Sequence, residues 1–206
     1  AVEAVASWLV DVARETAGPA GTLAAERRRL AEVVLPRWAG FGAPGDLVER
    51  VPPLPGVLQH NDLGSWNVVV GRRGFVAVDW ESARERGFPL WDVWYFLADA
   101  LAHLDGATTP AARSEHFLRL FAGELPSSHV LLGWTRRAAE AAGVPSDALG
   151  ALATLCWLGH GAADLARRAA APRGGTEAGG TFSVERLARL WLSHPALGPR
   201  WRAGNG

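Results

Sequence analysis

His60, Asp62 and Asn67 stand together in the stretch LQHNDLGSWNVVV, Leu58 to Val70, and Asp79 closes a second apolar run, FVAVD, a little further on. Two carboxylates and a carboxamide oxygen are hard, oxygen-only acceptors. Such a set suits Mg²⁺, which keeps several waters and takes one or two carboxylates together with substrate phosphates. Phosphoryl transfer needs these parts: an aspartate to accept the proton of an attacking hydroxyl, and metal ligands that neutralise charge on the moving group. At this composition the His-x-Asp-x-x-x-x-Asn spacing is expected by chance roughly 0.004 times, so the signal is specific.

The elements around the cluster must bring its members together. Val57 and Leu58 begin a short extended piece, Val68 to Val70 is β-branched, GRRG is a turn, and Phe75 to Val78 is a second strand. This pattern predicts a β-hairpin, which returns the chain to its starting edge and sets Asp79 beside the loop of Asp62 and Asn67. Ahead of it, Val2, Val5, Leu9 and Val12 mark an amphipathic helix over residues 1–17, ended by Gly18-Pro19, and a second helix is expected from Leu23 to Trp38 before VPPLPG breaks the pattern. From Pro89 onward the chain reads as helical: one helix through Leu90, Val93, Leu97, Leu101 and Leu104, others around Phe117–Phe121, Val130–Ala142, Ser146–Ala170 and Ser183–Leu192. The fold class is therefore mainly α with one small β-hairpin, α+β. The chain divides into a helical lead-in over 1–50, a catalytic core over 51–170, a flexible link at 171–180 (APRGGTEAGG), and a last helix and tail of the same lobe over 181–206.

Composition narrows the partners. Acidic and basic residues balance at 21 each in 206 residues, half of them apolar, so the chain is globular, with no field to attract nucleic acid or anionic lipid. The first residues show no basic stretch followed by an apolar h-region, no apolar run reaches membrane-spanning length, and a cytoplasmic protein is the default expectation. Cys156 stands alone, which excludes an internal disulfide and points to core filling on a helix. All the basic residues are arginine, because the chain has no lysine.

At HNDLGSWN and VAVDWE the order is that of the catalytic and metal loops of protein kinases. Here the chain resembles the aminoglycoside phosphotransferase and choline kinase-like family, small-molecule kinases of protein-kinase-like fold. The likeness is strong from Gln59 to about Leu104 and rests on pattern alone in the flanking helices. It implies Asp62 as catalytic base, Asn67 and Asp79 as Mg²⁺ ligands that hold Mg-ATP, His60 as a brace for the loop, and Asp92, in PLWD, as the aspartate that ties the loop down. Asn61 replaces the family's usual glycine; asparagine is one of the few residues at home with a positive φ.

The resemblance also implies an ATP-dependent kinase acting on a hydroxyl of a small molecule such as an aminoglycoside, sugar or choline-like metabolite. The family's N-terminal β lobe, with its glycine-rich loop and phosphate-binding lysine, has no counterpart in these residues. The expectation is thus a C-terminal lobe that is inactive without that missing lobe as its partner, or else a non-catalytic lobe that binds a ligand or partner.

Other readings attach to single residues. His60 is expected to be structural, and Asp92 serves equally well as a dipole partner or cap of its helix. Trp66, inside the loop, is a candidate for a cleft wall on which rings stack, whereas Trp91, Trp94 and Trp157 are expected in the core. Glu81 is expected to be solvated, and Asp164 with Arg167 and Arg168 to form an exposed salt-bridged helix face. His103, His116, His129, His160 and His194 lie in separate segments without metal-ligand spacing and read as polar filler. A nucleophilic-aspartate hydrolase is disfavoured, because no alternating βα pattern places Asp62 at the end of a parallel strand.

Overall fold

The computed structural model describes residues 1–170, 183–194, 197 and 201. Its first element, α1 (Val2–Thr16), buries Val5, Ala6, Leu9, Val10 and Ala13 on one face. At its end the Thr16 hydroxyl donates to Val12 O at 2.7 Å and accepts the amide of Leu58 at 2.8 Å, which fixes the helix to the first strand. The second helical stretch departs from a single regular helix. It runs as α2 (Ala24–Arg29), a π-turn (Leu30–Val34) and α3 (Leu35–Trp38). Pro36 explains the widening: it brings no N–H, and its ring would collide with the Glu32 carbonyl in a continuous α-helix.

Two small antiparallel sheets follow. The expected hairpin forms from β2 (Val68–Gly71) and β3 (Gly74–Ala77), with Val68 opposite Ala77 and Gly71 opposite Gly74. The first extended piece, β1 (Val57–Gln59), pairs with β4 (Arg84–Gly87), a strand that the sequence pattern hides because Arg-Glu-Arg-Gly lacks β-branched or aromatic residues. Gly87 is needed there, since a Cβ would fall within 1.8 Å of the Gln59 side chain.

The remainder is helical: α4 (Trp91–Leu104), α5 (Pro110–Ala122), α6 (Ser128–Ala141), α7 (Leu149–Ala170) and α8 (Val184–Ser193). The Thr109 hydroxyl caps α5 by accepting the amide of Ala112, Pro110 occupies its first turn, and Gly123 ends it in a left-handed conformation. The core is aromatic. Phe117 and Phe121 meet Trp157 edge to face at 4.7 and 5.4 Å between ring centroids, and Trp191 and Trp201 close over Phe121. Trp91, Trp94 and Trp157 are fully buried, as is the free thiol of Cys156. The architecture is α+β, mostly helical with small antiparallel sheets. Among the described residues no helix is long and apolar enough to cross a membrane. The link expected at 171–180 lies outside the described residues.

Candidate active site

The loop from His60 to Asn67 joins β1 to β2 and lies against the start of α4. His60 and Asn61 donate their backbone amides to the two oxygens of Asp92, at 2.6 and 2.8 Å. Asp92 sits in the first turn of α4, 8% exposed, and caps nothing in its own helix with that carboxylate; it spends both oxygens on the loop. Asn61 takes φ +66°, the left-handed conformation for which asparagine is suited. Past it, the Asp62 carbonyl accepts the amide of Gly64 and the side-chain Nδ2 of Asn67, both at 2.9 Å, curling the loop into a tight turn. Gly64 allows Trp66 to lie over it: a Cβ there would stand 2.3 Å from the indole.

The hairpin delivers Asp79 to the same edge. Val78 donates its amide to Asn67 O at 2.9 Å, and Val78 O accepts the His60 Nε2 proton at 2.9 Å, so His60 is buried with its ring bridging loop and strand end. Asp79 follows at φ +65° and is exposed. Among the described residues its carboxylate has no hydrogen-bond or ion-pair partner. Asp62 is half-buried, and burial lifts its carboxyl above the usual carboxylate range; Arg167, His60 and the Tyr95 hydroxyl draw it back, while Asp79 pushes it up. The raised direction makes its carboxylate a better proton acceptor. Burial also raises Asp92 to about 6, against the pull of the His60 and Asn61 amides.

Asn67 and Asp79 fit a hard cation by their donor chemistry. Asn67, buried, uses its Nδ2 within the loop, which leaves Oδ1 as its remaining side-chain acceptor, and Asp79 offers an exposed carboxylate at the end of the paired strand. Among the described residues no group of three or more His, Cys, Asp or Glu side chains forms a full cage. Two protein oxygens leave the other positions to water and phosphate, the habit of Mg²⁺ rather than of a structural metal.

Trp66 stands at the mouth of the site, 52% exposed, edge-on to Tyr95 at 6.1 Å. Glu81 is exposed. Three residues escaped the reading of spacing. Tyr95 and Asp99 share the loop-facing side of α4 with Asp92, and the signal was there in their three- and four-residue steps along an otherwise apolar helix. Arg167 is the third. Arg168, not Arg167, pairs with Asp164 at 3.3 Å, and Asp164 also accepts from Ser183 Oγ and the Glu185 amide at the start of α8. Arg167 is exposed, lies two helical turns from His160, whose ring stacks on Tyr95 at 4.1 Å, and directs its charge at Asp62.

The chain matches no curated protein and no solved structure. The family model described as "Phosphotransferase enzyme family" (APH) matches residues 5–126, more than half of the chain and well beyond the Gln59–Leu104 stretch that carries the motifs. The matched span runs from α1 through the loop, the hairpin and α4 to the end of α5, and on that match this chain belongs to the phosphotransferase enzyme family.

Proposed function

We propose that the chain is the catalytic lobe, of protein-kinase-like fold, of an ATP- and Mg²⁺-dependent kinase for a small polar molecule bearing a hydroxyl: an aminoglycoside, a sugar, a choline-like compound or another such metabolite. The observation that carries this reading is the convergence of Asp62, Asn67 and Asp79 at one edge, on a loop anchored by Asp92, in a member of a phosphotransferase family. Asp62 would orient the acceptor hydroxyl and take its proton as the oxygen bonds to the γ-phosphorus and the bond to the β-phosphate breaks, releasing ADP. Asn67 and Asp79 would hold Mg²⁺, which supplies charge neutralisation on the phosphates. The exposed Trp66 indole offers a flat face for a sugar or ring.

Asp62→Asn is the test. In the full-length protein that carries this lobe, transfer to an accepted substrate should fall by about 10²- to 10⁴-fold, the range for loss of a general base, with the melting temperature unchanged. Undiminished turnover would overturn the assignment. A second reading, a non-catalytic lobe that binds a ligand or partner, is favoured by one fact: the chain has no lysine to clamp a nucleotide's phosphates. The clamp must then be an arginine or come from outside these residues. Calorimetry with Mg-ATP on the full-length protein separates the two, since saturable binding that weakens in Asp79→Ala supports the first and its absence supports the second.

A further inference from the structure

The side of α4 that faces the loop reads Asp92, Tyr95, Asp99, at steps of three and four residues that stack them on one side of the helix. Asp92 grips the loop where it begins. Asp99, two turns on and equally buried at 8% exposure, grips it where it ends. Its Oδ2 accepts the Ser65 amide at 2.9 Å and the Ser65 hydroxyl, and its Oδ1 accepts from Arg113 Nη1 on α5 at 2.8 Å. Arg113 is in turn within hydrogen-bonding distance of the His103 ring. Seven residues of helix span about 10.5 Å, so the loop is held at two points a fixed length apart with Asp62 between them.

A buried carboxylate is costly unless its oxygens are matched, and an apolar residue would serve packing better. Asp99 has one oxygen committed to Ser65 and the other to a guanidinium. Ser65 opens a 3₁₀ turn, Ser65–Asn67, whose first amide has no partner within the turn, and Asp99 supplies it. The turn then closes through Asn67 N to Gly64 O at 3.0 Å, and Asn67 is tied by Nδ2 to Asp62 O and by its carbonyl to Val78 N. Any rotation of Ser65 therefore moves the Asn67 carboxamide relative to Asp62 and tugs the strand end that carries Asp79.

Building on the phosphotransfer reading above, we propose that Asp99 is a positioning residue: by gripping Ser65 it sets the placement of Asn67 against Asp62, and Arg113 balances its buried charge. The role is distinct from that of Asp92, which acts on the other end of the loop and on other amides.

The test compares Asp99→Asn, Ser65→Ala and the double variant with the unaltered chain, by amide hydrogen exchange and by Mn²⁺ titration followed through water-proton relaxation. In Asp99→Asn the Ser65 and Asn67 amides should exchange about 10- to 100-fold faster, the loss expected for a hydrogen bond to a charged group, while amides of α6 stay as they are. Mn²⁺ affinity should fall on the order of tenfold with the melt still cooperative, a change that packing loss alone would not give. Ser65→Ala, which keeps the amide, should shift both readouts in the same direction by less, and the double variant should be no worse than Asp99→Asn. Unchanged exchange at Ser65 and Asn67, or additive losses in the double variant, would overturn the proposal. If Asp99→Asn does not fold, Ser65→Ala decides alone, and unchanged exchange at Asn67 is then the refuting result. Should the unaltered chain bind no Mn²⁺, the metal site of the phosphotransfer reading fails, while the exchange data still settle whether Asp99 holds the loop.

Discussion

The two sides of α4 are built on opposite principles. Where the helix meets the loop, polar groups are buried and the backbone is bent: the non-glycine residues with positive φ among those described, Asn61, Asp79 and Leu90, all lie at this edge. Each such conformation costs about 1–2 kcal/mol for an ordinary side chain and survives only where its surroundings over-determine it. On the side toward α5 and α7, rings pack on rings, with Trp94 edge to face on Trp201 and Trp157 among Phe117, Phe121 and Trp191. That packing is mostly apolar, with the indole N–H groups of Trp94, Trp191 and Trp201 donating to Thr135, Thr154 and the Phe121 carbonyl. The stability of the second region is what holds the first in its costly shape, so changes to the two should have separable effects.

The largest expected effect is on the aromatic side. Phe121 is 2% exposed and touches Trp157, Trp191 and Trp201 without reaching the loop. Phe121→Ala should cost about 3–5 kcal/mol of unfolding free energy by urea denaturation, the usual range for emptying a packed aromatic site. Nucleotide affinity of the folded fraction should stay the same. A loss under about 1 kcal/mol would mean that the ring array is not what holds the domain together.

Asp92 sharpens the comparison through pH. Burial raises its carboxyl to about 6, while in the unfolded chain it titrates near the usual carboxylate value of about 3.9. Between these values the native state keeps a proton that the unfolded state has released. The contribution of this group to stability is therefore greatest at low pH, declines as pH rises through the window from about 4 to 6, and is level above it. Over that window the contribution declines by roughly 3 kcal/mol. Asp92→Asn removes the decline. It also leaves one oxygen for two amides and turns an NH₂ toward the other, so the loop loosens and transfer should drop even where stability is kept. Urea denaturation of both proteins from pH 4 to 7 checks this, and parallel profiles would refute it.

How far the sequence foretold all this follows the same divide. The hairpin was legible because Val68–Val70 and Phe75–Val78 are short apolar runs, largely β-branched, around a glycine-flanked turn, and α4 because Val93, Leu97, Leu101 and Leu104 repeat at helical steps. The π-turn ahead of Pro36 was marked only by the proline itself. The strand Arg84–Gly87 left no trace, since its pairing with β1 is settled by tertiary placement rather than by residue type. At the candidate site, the residues with catalytic spacing could be named because their order is local. Tyr95 and Asp99 left only their helical steps from Asp92 as a signal, and Arg167 left none toward the site, because its 105 positions from Asp62 are bridged only by the packing of α7.

The smallest expected effect tests whether the bent edge is held as described. Asn61 sits at φ +66° with its amide on Asp92 Oδ1. Alanine there must pay the left-handed penalty and should lower stability by about 1 kcal/mol. Glycine adopts the angle freely but gives the unfolded chain more freedom, about 0.5–1 kcal/mol in the opposite sense, so Asn61→Gly should fall within about 0.5 kcal/mol of the unaltered protein. The order Gly above Ala is the informative result, because anywhere with φ below zero alanine is the more stabilising of the two. Thermal melts of the pair side by side resolve it, and alanine equal to or above glycine would show that the loop does not hold the left-handed turn on which the placement of Asp62 depends.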